Sequence, residues 1–334
     1  MRFLFKLFLL TILAAAIAWW DAGRLMKAPL PLAQTQSFDI EVGSSLQRVL
    51  QDLDGQGLLP AARLALYLRL KARLEGNSAA VKAGEYSLQP GMNVDQALAL
   101  FFAGKTRLHE LRIVEGWTFA QAMIAVRTHP MLKQTLPVTA GAGEIMAAIG
   151  APGQHPEGRL FPDTYHFPKG TTDVAFLRRA HAAMAQELER AWAQREPDLP
   201  YATPDEALTM ASIVEKETGV PHERAQIAGV FVRRLRLGMR LQTDPTVIYG
   251  IGQGFDGNIR RNDLIADTPY NTYTRDGLPP TPICLPGRAA IEAALHPLPG
   301  TSIFFVSKGD GSHQFSDTLD QHNAAVRRYQ LGKP

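Results

Sequence analysis

Two carboxylates two positions apart, Glu215 and Glu217, close the segment Leu208-Thr209-Met210-Ala211-Ser212-Ile213-Val214-Glu215-Lys216-Glu217-Thr218. The segment reads as a helix, so its period decides which of the two faces inward. At about 100° per residue, with Leu208 at zero, Ile213 falls at about 140°, Met210 at about 200°, Val214 at about 240° and Glu217 at about 180°, while Glu215 falls at about 340°. Glu217 thus sits in the middle of the apolar face, and Glu215 is expected to point away from the protein. A carboxylate on a buried face must be desolvated, paired or used. Desolvation raises its pKa, and a carboxylic acid still protonated near neutral pH can serve as a general acid. Pairing is the competing reading: Arg224, Arg233 or Arg234 of the following helix could neutralise Glu217, and ion-paired glutamates outnumber catalytic ones.

A second polar group follows. Leu241-Gln242-Thr243-Asp244-Pro245-Thr246-Val247-Ile248-Tyr249-Gly250 sets Gln242, Thr243 and Asp244 between apolar residues just beyond the glycine that ends a helix, Gly238. Tyr270-Asn271-Thr272-Tyr273 and Gly277-Leu278-Pro279-Pro280 come later. Tyrosine rings offer apolar faces and amides satisfy hydroxyls, which suits a carbohydrate cleft lined by Gln242, Thr243, Asp244, Tyr249, Tyr270, Asn271 and Tyr273. Equally, Asp244-Pro245 could simply start a turn or helix, and the tyrosines could be half-buried packing. Other chemistry finds less support. Cys284 is alone and lies in a proline-rich run with no helix start beside it, so it reads as a small apolar filler rather than a nucleophile. The nine histidines show no His-x-x-x-His pair, and no Gly-x-Ser-x-Gly elbow or phosphate loop is present, so neither a metal nor a nucleotide cofactor is expected.

Positioning these residues is the task of the surrounding elements. The Glu217 helix has a strong start: Thr203 as N-cap, Pro204 at the first helical position and Glu206 three residues after the cap. Gly219 and Pro221 stop it. From about 115 to 250 the pattern is mainly helical (115–126, 174–192, 203–218, 221–237). Beyond 250 the chain is rich in Gly, Pro, Asn and Asp, then ends in strands at 301–306 and 314–315 and a helix at 318–331. Upstream, 37–42 alternates as a strand should and 83–88 reads as a strand, 44–53, 64–74 and 94–102 read as helices, and 108–114 is a strand leading onward. The expected class is α+β: a small α+β module over 37–105 and a larger, mainly helical domain over 106–334 with a loop-rich, short-strand C-terminal part.

The N-terminus is a membrane signal. Arg2 and Lys6 lead into a span of 18 residues counted from Phe3 to Trp20, interrupted only by Lys6, whose long stem can reach the interface. Residues 1–20 are expected to be a transmembrane anchor and 21–36, with Pro29 and Pro31 and no periodicity, a linker. Ala16-Ile17-Ala18 also fits a signal-peptide cleavage site, although the bulky Trp19-Trp20 pair directly after it disfavours cutting. Arg24 and Lys27 beyond the span leave only a slight charge bias toward a cytoplasmic N-terminus. The chain of 334 residues carries a net charge of +3, its positive residues scattered rather than gathered in a basic stripe, which argues against a nucleic-acid partner.

Taken together, Ala211-Ser212-Ile213-Val214-Glu215-Lys216-Glu217-Thr218, Arg240-Leu241-Gln242-Thr243-Asp244-Pro245-Thr246-Val247-Ile248-Tyr249-Gly250, Tyr270-Asn271-Thr272-Tyr273 and Gly277-Leu278-Pro279-Pro280 closely resemble the YceG-like family. Glu157-Gly158-Arg159-Leu160-Phe161-Pro162-Asp163-Thr164-Tyr165 is similar to a further pattern of that family. The resemblance is most specific over 211–250 and loosest in the N-terminal third. It implies a single-pass bacterial inner-membrane protein with a cytoplasmic N-terminus and a periplasmic body. Residues 37–105 would be a LysM-like glycan-binding module, and the family's catalytic glutamate falls on Glu217. The implied activity is endolytic lytic cleavage of the MurNAc–GlcNAc bond of nascent peptidoglycan strands, leaving 1,6-anhydro-MurNAc ends and terminating elongation. No cofactor is implied. The implied partners are peptidoglycan glycan strands, the inner membrane and peptidoglycan synthases (penicillin-binding proteins). Two other readings stay open. One is a lysozyme-type hydrolase pairing Glu217 with Asp244, 27 residues on. The other is a non-catalytic, glycan-binding scaffold for cell-wall synthases.

Overall fold

A computed structural model describes residues 2–74 and 80–332. It is a mixed helix and sheet structure in two compact units: one takes in the chain up to His109 together with His166–Gly170, and the other Glu110–Tyr165 and Thr171 onward.

The first unit opens with helix α1 (Arg2–Lys27), followed by β1 (Gln36–Ile40), α2 (Leu46–Gly55), α3 (Ala61–Leu74), β2 (Gly84–Leu88), α4 (Val94–Ala103) and the start of β3 (Leu108–Arg112). The alternation expected of β1 holds, whereas in β2 the neighbouring Glu85 and Tyr86 are both buried. β1 and β2 pair antiparallel with Phe38 opposite Tyr86, and both rings are buried against Phe101 of α4, at centroid distances of 5.6 and 4.8 Å. Val49, Leu50 and Leu53 of α2 and Leu64 of α3 complete that core. The Asn93–Gln96 capping box starts α4, and Gly104 ends it at φ +70°, a conformation open to glycine because it has no Cβ. The expected linker is only partly irregular. α1 continues without a break to Lys27, because Ala22 and Met26, one helical turn apart, are buried in this unit's core along with Leu30. The prolines at 29 and 31 hid that short repeat. Phe3–Lys27 is apolar enough and long enough to cross a membrane.

The second unit holds α5 (Phe119–Thr128), α6 (Ala142–Ala148), β4 (Thr164–Pro168, whose last three residues belong to the first unit), α7 (Asp173–Ala193), α8 (Pro204–Glu217), α9 (Arg224–Arg236), α10 (Asp244–Ile251), α11 (Arg261–Ile265), α12 (Arg288–Leu295), β5 (Phe304–Ser307), β6 (His313–Ser316) and α13 (Leu319–Tyr329). α8 is its axis. Thr203 caps it by accepting the Glu206 N–H at 3.2 Å, and every residue from Ala207 to Val214 is buried. α12, α9, α7 and α10 all pack on it, and Leu208, Ile213, Ile227, Phe231, Leu241, Ile291 and Leu295 form one continuous core. Cys284 is fully buried there, its thiol donating to the Ser212 carbonyl at 3.3 Å, and burial pushes the thiol well up, as suits a filler.

Because α8 is enclosed on all sides, Glu215 does not point away from the protein. Its side chain is only 7 % exposed and accepts the Gly287 N–H at 2.9 Å, with Arg224 at 4.0 Å. The helical wheel supposes one apolar face and one wet face, and a central helix has no wet face.

Close approach also fixes Gly229 on α9. A Cβ there would meet the carbonyl oxygen of Leu298 and lie 2.9 Å from Nη1 of Arg233. Glycine to alanine in a helix interior ordinarily gains about 1 kcal/mol. Gly229→Ala is expected to do the reverse and lower the melting temperature followed by circular dichroism; an unchanged or raised value would show that the 298 loop yields freely.

Candidate active site

Glu217 is the last residue of α8, where the partial negative charge of the helix end already disfavours an anion. It is half-buried and lines a cleft of about 500 Å³ together with Arg234, Gln242, Asp244, Tyr273, Phe304, His313, His322 and Asn323. Its Oε1 accepts a short hydrogen bond from the hydroxyl of Thr243. Thr243 occupies the N-cap position of α10, yet its hydroxyl does not cap that helix, because it is turned to the carboxyl instead. Burial pushes Glu217 up to about 7; the Thr243 hydroxyl pulls down, Asp244 pushes up, and the charges of His313 and Arg234 pull down. Among the described residues Glu217 has no ion-pair partner. Arg224 faces Glu215, and Arg233 donates to the carbonyls of Ser302 and Leu298. Arg234 donates to the carbonyls of Ile303, Leu241 and Arg240 at 2.7, 2.8 and 3.3 Å, with its guanidinium over the Phe304 ring.

The loop carrying Thr243 is braced from one side. Gln242 N–H donates to the Thr272 carbonyl and Thr243 N–H to the Thr272 hydroxyl, both at 3.1 Å, while the Thr246 hydroxyl donates to the Thr243 carbonyl at 2.7 Å. That grip holds Gln242 at φ +49°, which a non-glycine residue rarely adopts. Tyr273 donates its phenol to Asp244 at 2.6 Å; burial first, then this bond and the neighbouring carboxylates, push the phenol up. Asn271 is buried, with its amide donating to the carbonyls of Asp263, Leu264 and Ala266 and its oxygen accepting the Tyr273 N–H at 2.9 Å. Its position is that of a pin for the loop. Asp244-Pro245 does start a helix, α10, and Asp244 lines the cleft as well.

Tyr249 and Tyr270 are elsewhere. They pack edge to face at 4.8 Å, and Tyr249 donates to the buried Glu157 at 3.1 Å, which also accepts the Phe119 N–H at 2.8 Å. Burial raises Glu157 to about 7 against these hydrogen bonds. The structure therefore brings together Glu217, Gln242, Thr243, Asp244 and Tyr273, and places Tyr249 on a second carboxyl, Glu157, with Tyr270 packed on the Tyr249 ring and hydrogen-bonded to Thr281.

Several cleft residues had no signal in the sequence. Arg234 was a possible ion-pair partner of Glu217 on equal terms with Arg224 and Arg233, and nothing in the sequence marked it as a cleft residue. His313 sits in the β5–β6 hairpin, with its ring nitrogen and backbone N–H on Glu223 at 2.7 and 3.0 Å. Burial alone would raise Glu223, but those bonds hold it below the usual carboxylate range. His322 on α13 stacks on Phe304 at 5.1 Å. Only the packing of α13 on β5 and β6 brings it to the cleft wall.

Comparison with known proteins decides the kinship. The model of the YceG-like family matches residues 38–328. The chain belongs to the YceG-like family. A relative from Bacillus subtilis (strain 168), named endolytic murein transglycosylase, is 30 % identical over 315 residues, covering 88 % of this chain and 85 % of that protein. One of the same name from Streptococcus pneumoniae (serotype 2, strain D39) is 27 % identical over 332 residues, covering 87 % of this chain but 57 % of that longer protein. A crystal structure of a YceG-like protein from Listeria monocytogenes is 32 % identical with a TM-score of 0.53, covering 87 % of this chain and 99 % of that one.

In this member of the YceG-like family, the raised carboxyl has a consequence for stability. A group raised from 4.5 to about 7 favours folding fully below 4.5 and loses that contribution as pH rises through 7. Glutamine never ionises. Glu217→Gln should therefore melt at or above wild type at pH 8 and converge with it below pH 4.5; Glu157 titrates in both proteins and cancels. A lower melting temperature for the variant at pH 8 would mean that a cation holds Glu217 ionised.

Proposed function

We propose that this chain is an endolytic peptidoglycan lytic transglycosylase that cuts the MurNAc–GlcNAc bond of nascent glycan strands with Glu217 as its catalytic residue. The observation that carries the reading is a carboxyl raised to about 7, without a cation partner among the described residues, opening on a polar cleft, in a chain whose relatives are named endolytic murein transglycosylases. A pKa near 7 lets one group serve as acid and then as base. Protonated Glu217 gives its proton to the glycosidic oxygen as the bond to the muramic C1 breaks. The carboxylate then takes the proton of the muramic C6 hydroxyl as that oxygen closes onto C1. The proton count balances, water is not a reactant, and a 1,6-anhydro-MurNAc end remains. No second carboxylate is required, unlike in most glycosidases. Thr243 steadies the carboxyl, while Gln242, Asp244 and Tyr273 offer hydrogen bonds to sugar hydroxyls. Asp244, with one oxygen already occupied by the Tyr273 phenol, is less suited to direct a water as a hydrolase would need.

The wider setting belongs to the same proposal. α1 anchors the chain in the inner membrane with its N-terminus cytoplasmic and both units periplasmic. Residues 37–105 act as a LysM-like module that holds glycan without cutting it. Cleavage terminates strand elongation beside the peptidoglycan synthases. Glu217→Gln should fold and cut at least about 10²- to 10⁴-fold more slowly than wild type. Glu215→Gln still offers an oxygen to the Gly287 N–H and should keep most of the activity. Digestion of purified glycan strands, with new ends counted by mass spectrometry, reads both variants. Wild-type cutting by a folded Glu217→Gln protein would end the assignment, and no cutting by wild type itself would favour the scaffold.

A further inference from the structure

The apolar stretch of α1 and the folded first unit meet on the helix itself. The side chains from Phe3 to Ile17 are exposed. The next turns are gripped: the Trp19 ring lies 4.6 Å from the Tyr67 ring of α3, Asp21 pairs with Arg63 of α3, and Ala22 and Met26 are 3 % exposed within the core. No flexible spacer separates span from fold. A hydrocarbon core is about 30 Å thick and a helix rises about 1.5 Å per residue, so Phe3 to Trp20 is used up in crossing it. Trp19 and Trp20 then fall at the far interface, where tryptophans collect. A side chain in ring contact with Trp19 shares its depth.

We propose that α3 lies against the outer leaflet of the membrane that α1 crosses, with Tyr67, Leu66 and Arg63 among the lipid headgroups. The proposal rests on α1 being an anchor and adds an interaction surface that the anchor alone does not require. The helix suits the position. Ala61, Leu64 and Leu68 face the core, while Leu66 is on the opposite side and 64 % exposed. Tyr67 is an interfacial residue by type, and Arg63 and Arg69, held by Asp21 and Gln47, flank Leu66 as polar-headed, long-stemmed side chains suited to the headgroup layer. Such seating would hold the first unit at the bilayer surface instead of letting it range outward on a tether.

The test places an environment-sensitive nitrobenzoxadiazole label at Leu66→Cys in the full chain, reconstituted in phosphatidylethanolamine–phosphatidylglycerol vesicles; the native Cys284 is fully buried and stays unlabelled. A second protein carries the label at Leu10→Cys, within the span. The expected result is blue-shifted emission at 66 with several-fold quenching by headgroup-attached nitroxide lipid, and quenching at 10 by nitroxide deep in the acyl chain. Water-like, unquenched emission at 66 with lipid contact at 10 would overturn the seating of α3 and leave the anchor standing. Loss of lipid contact at 10 would overturn the anchor, and the seating with it.

Discussion

Glu217 is a half-buried carboxyl at the C-terminal end of a buried helix, held by one neutral hydroxyl instead of a cation among the described residues. Removing a charge from water without pairing it is costly, so the protonated form is favoured up to about neutral pH. Much of the second unit keeps that arrangement in place. α9 and α12 enclose α8, which makes the helix end a fixed point. Arg234, the cation that could have neutralised the carboxyl, is bound to three backbone carbonyls and stays on the cleft wall. Thr243 leaves its own helix uncapped so that its hydroxyl reaches Glu217, and Thr272 holds the Thr243 peptide from the opposite side. A raised pKa, a steady orientation and an open cleft are what a single residue needs to act first as acid and then as base.

Local signals made most elements legible. Thr203, Pro204 and Glu206 mark the start of α8 because capping is decided within one turn. β1 is legible because one face is buried and the other is not. Glu217 could be chosen from the helical period, but only half of that argument survives. Glu215 is buried too, and what distinguishes the two is their partners, Gly287 and Arg224 for one and Thr243 and a cleft for the other. Partners distant in sequence leave no periodic trace. The same holds for Tyr249 and Tyr270, which looked like cleft residues by type: Tyr249 donates to Glu157, 92 residues away in sequence, and Tyr270 packs on the Tyr249 ring. It holds again for His322, placed at the cleft only by the packing of α13.

The first unit follows a different constraint. Its core grows directly from the last turns of α1, so the apolar helix and the first unit are one body rather than two joined by a tether. The residues responsible, Ala22, Met26 and Leu30, are three small or flexible apolar residues among prolines and charges, too few to register as amphipathic in the sequence.

The central claim is that one carboxyl performs both proton transfers and water takes no part. Digestion of glycan strands by the wild-type chain in water enriched with oxygen-18, followed by mass spectrometry of the new muramyl ends, tests it most directly. The account predicts anhydro ends, lighter than reducing ends by one water and free of oxygen-18. Reducing ends that carry the heavy isotope would contradict it and make Glu217 the acid of a hydrolase.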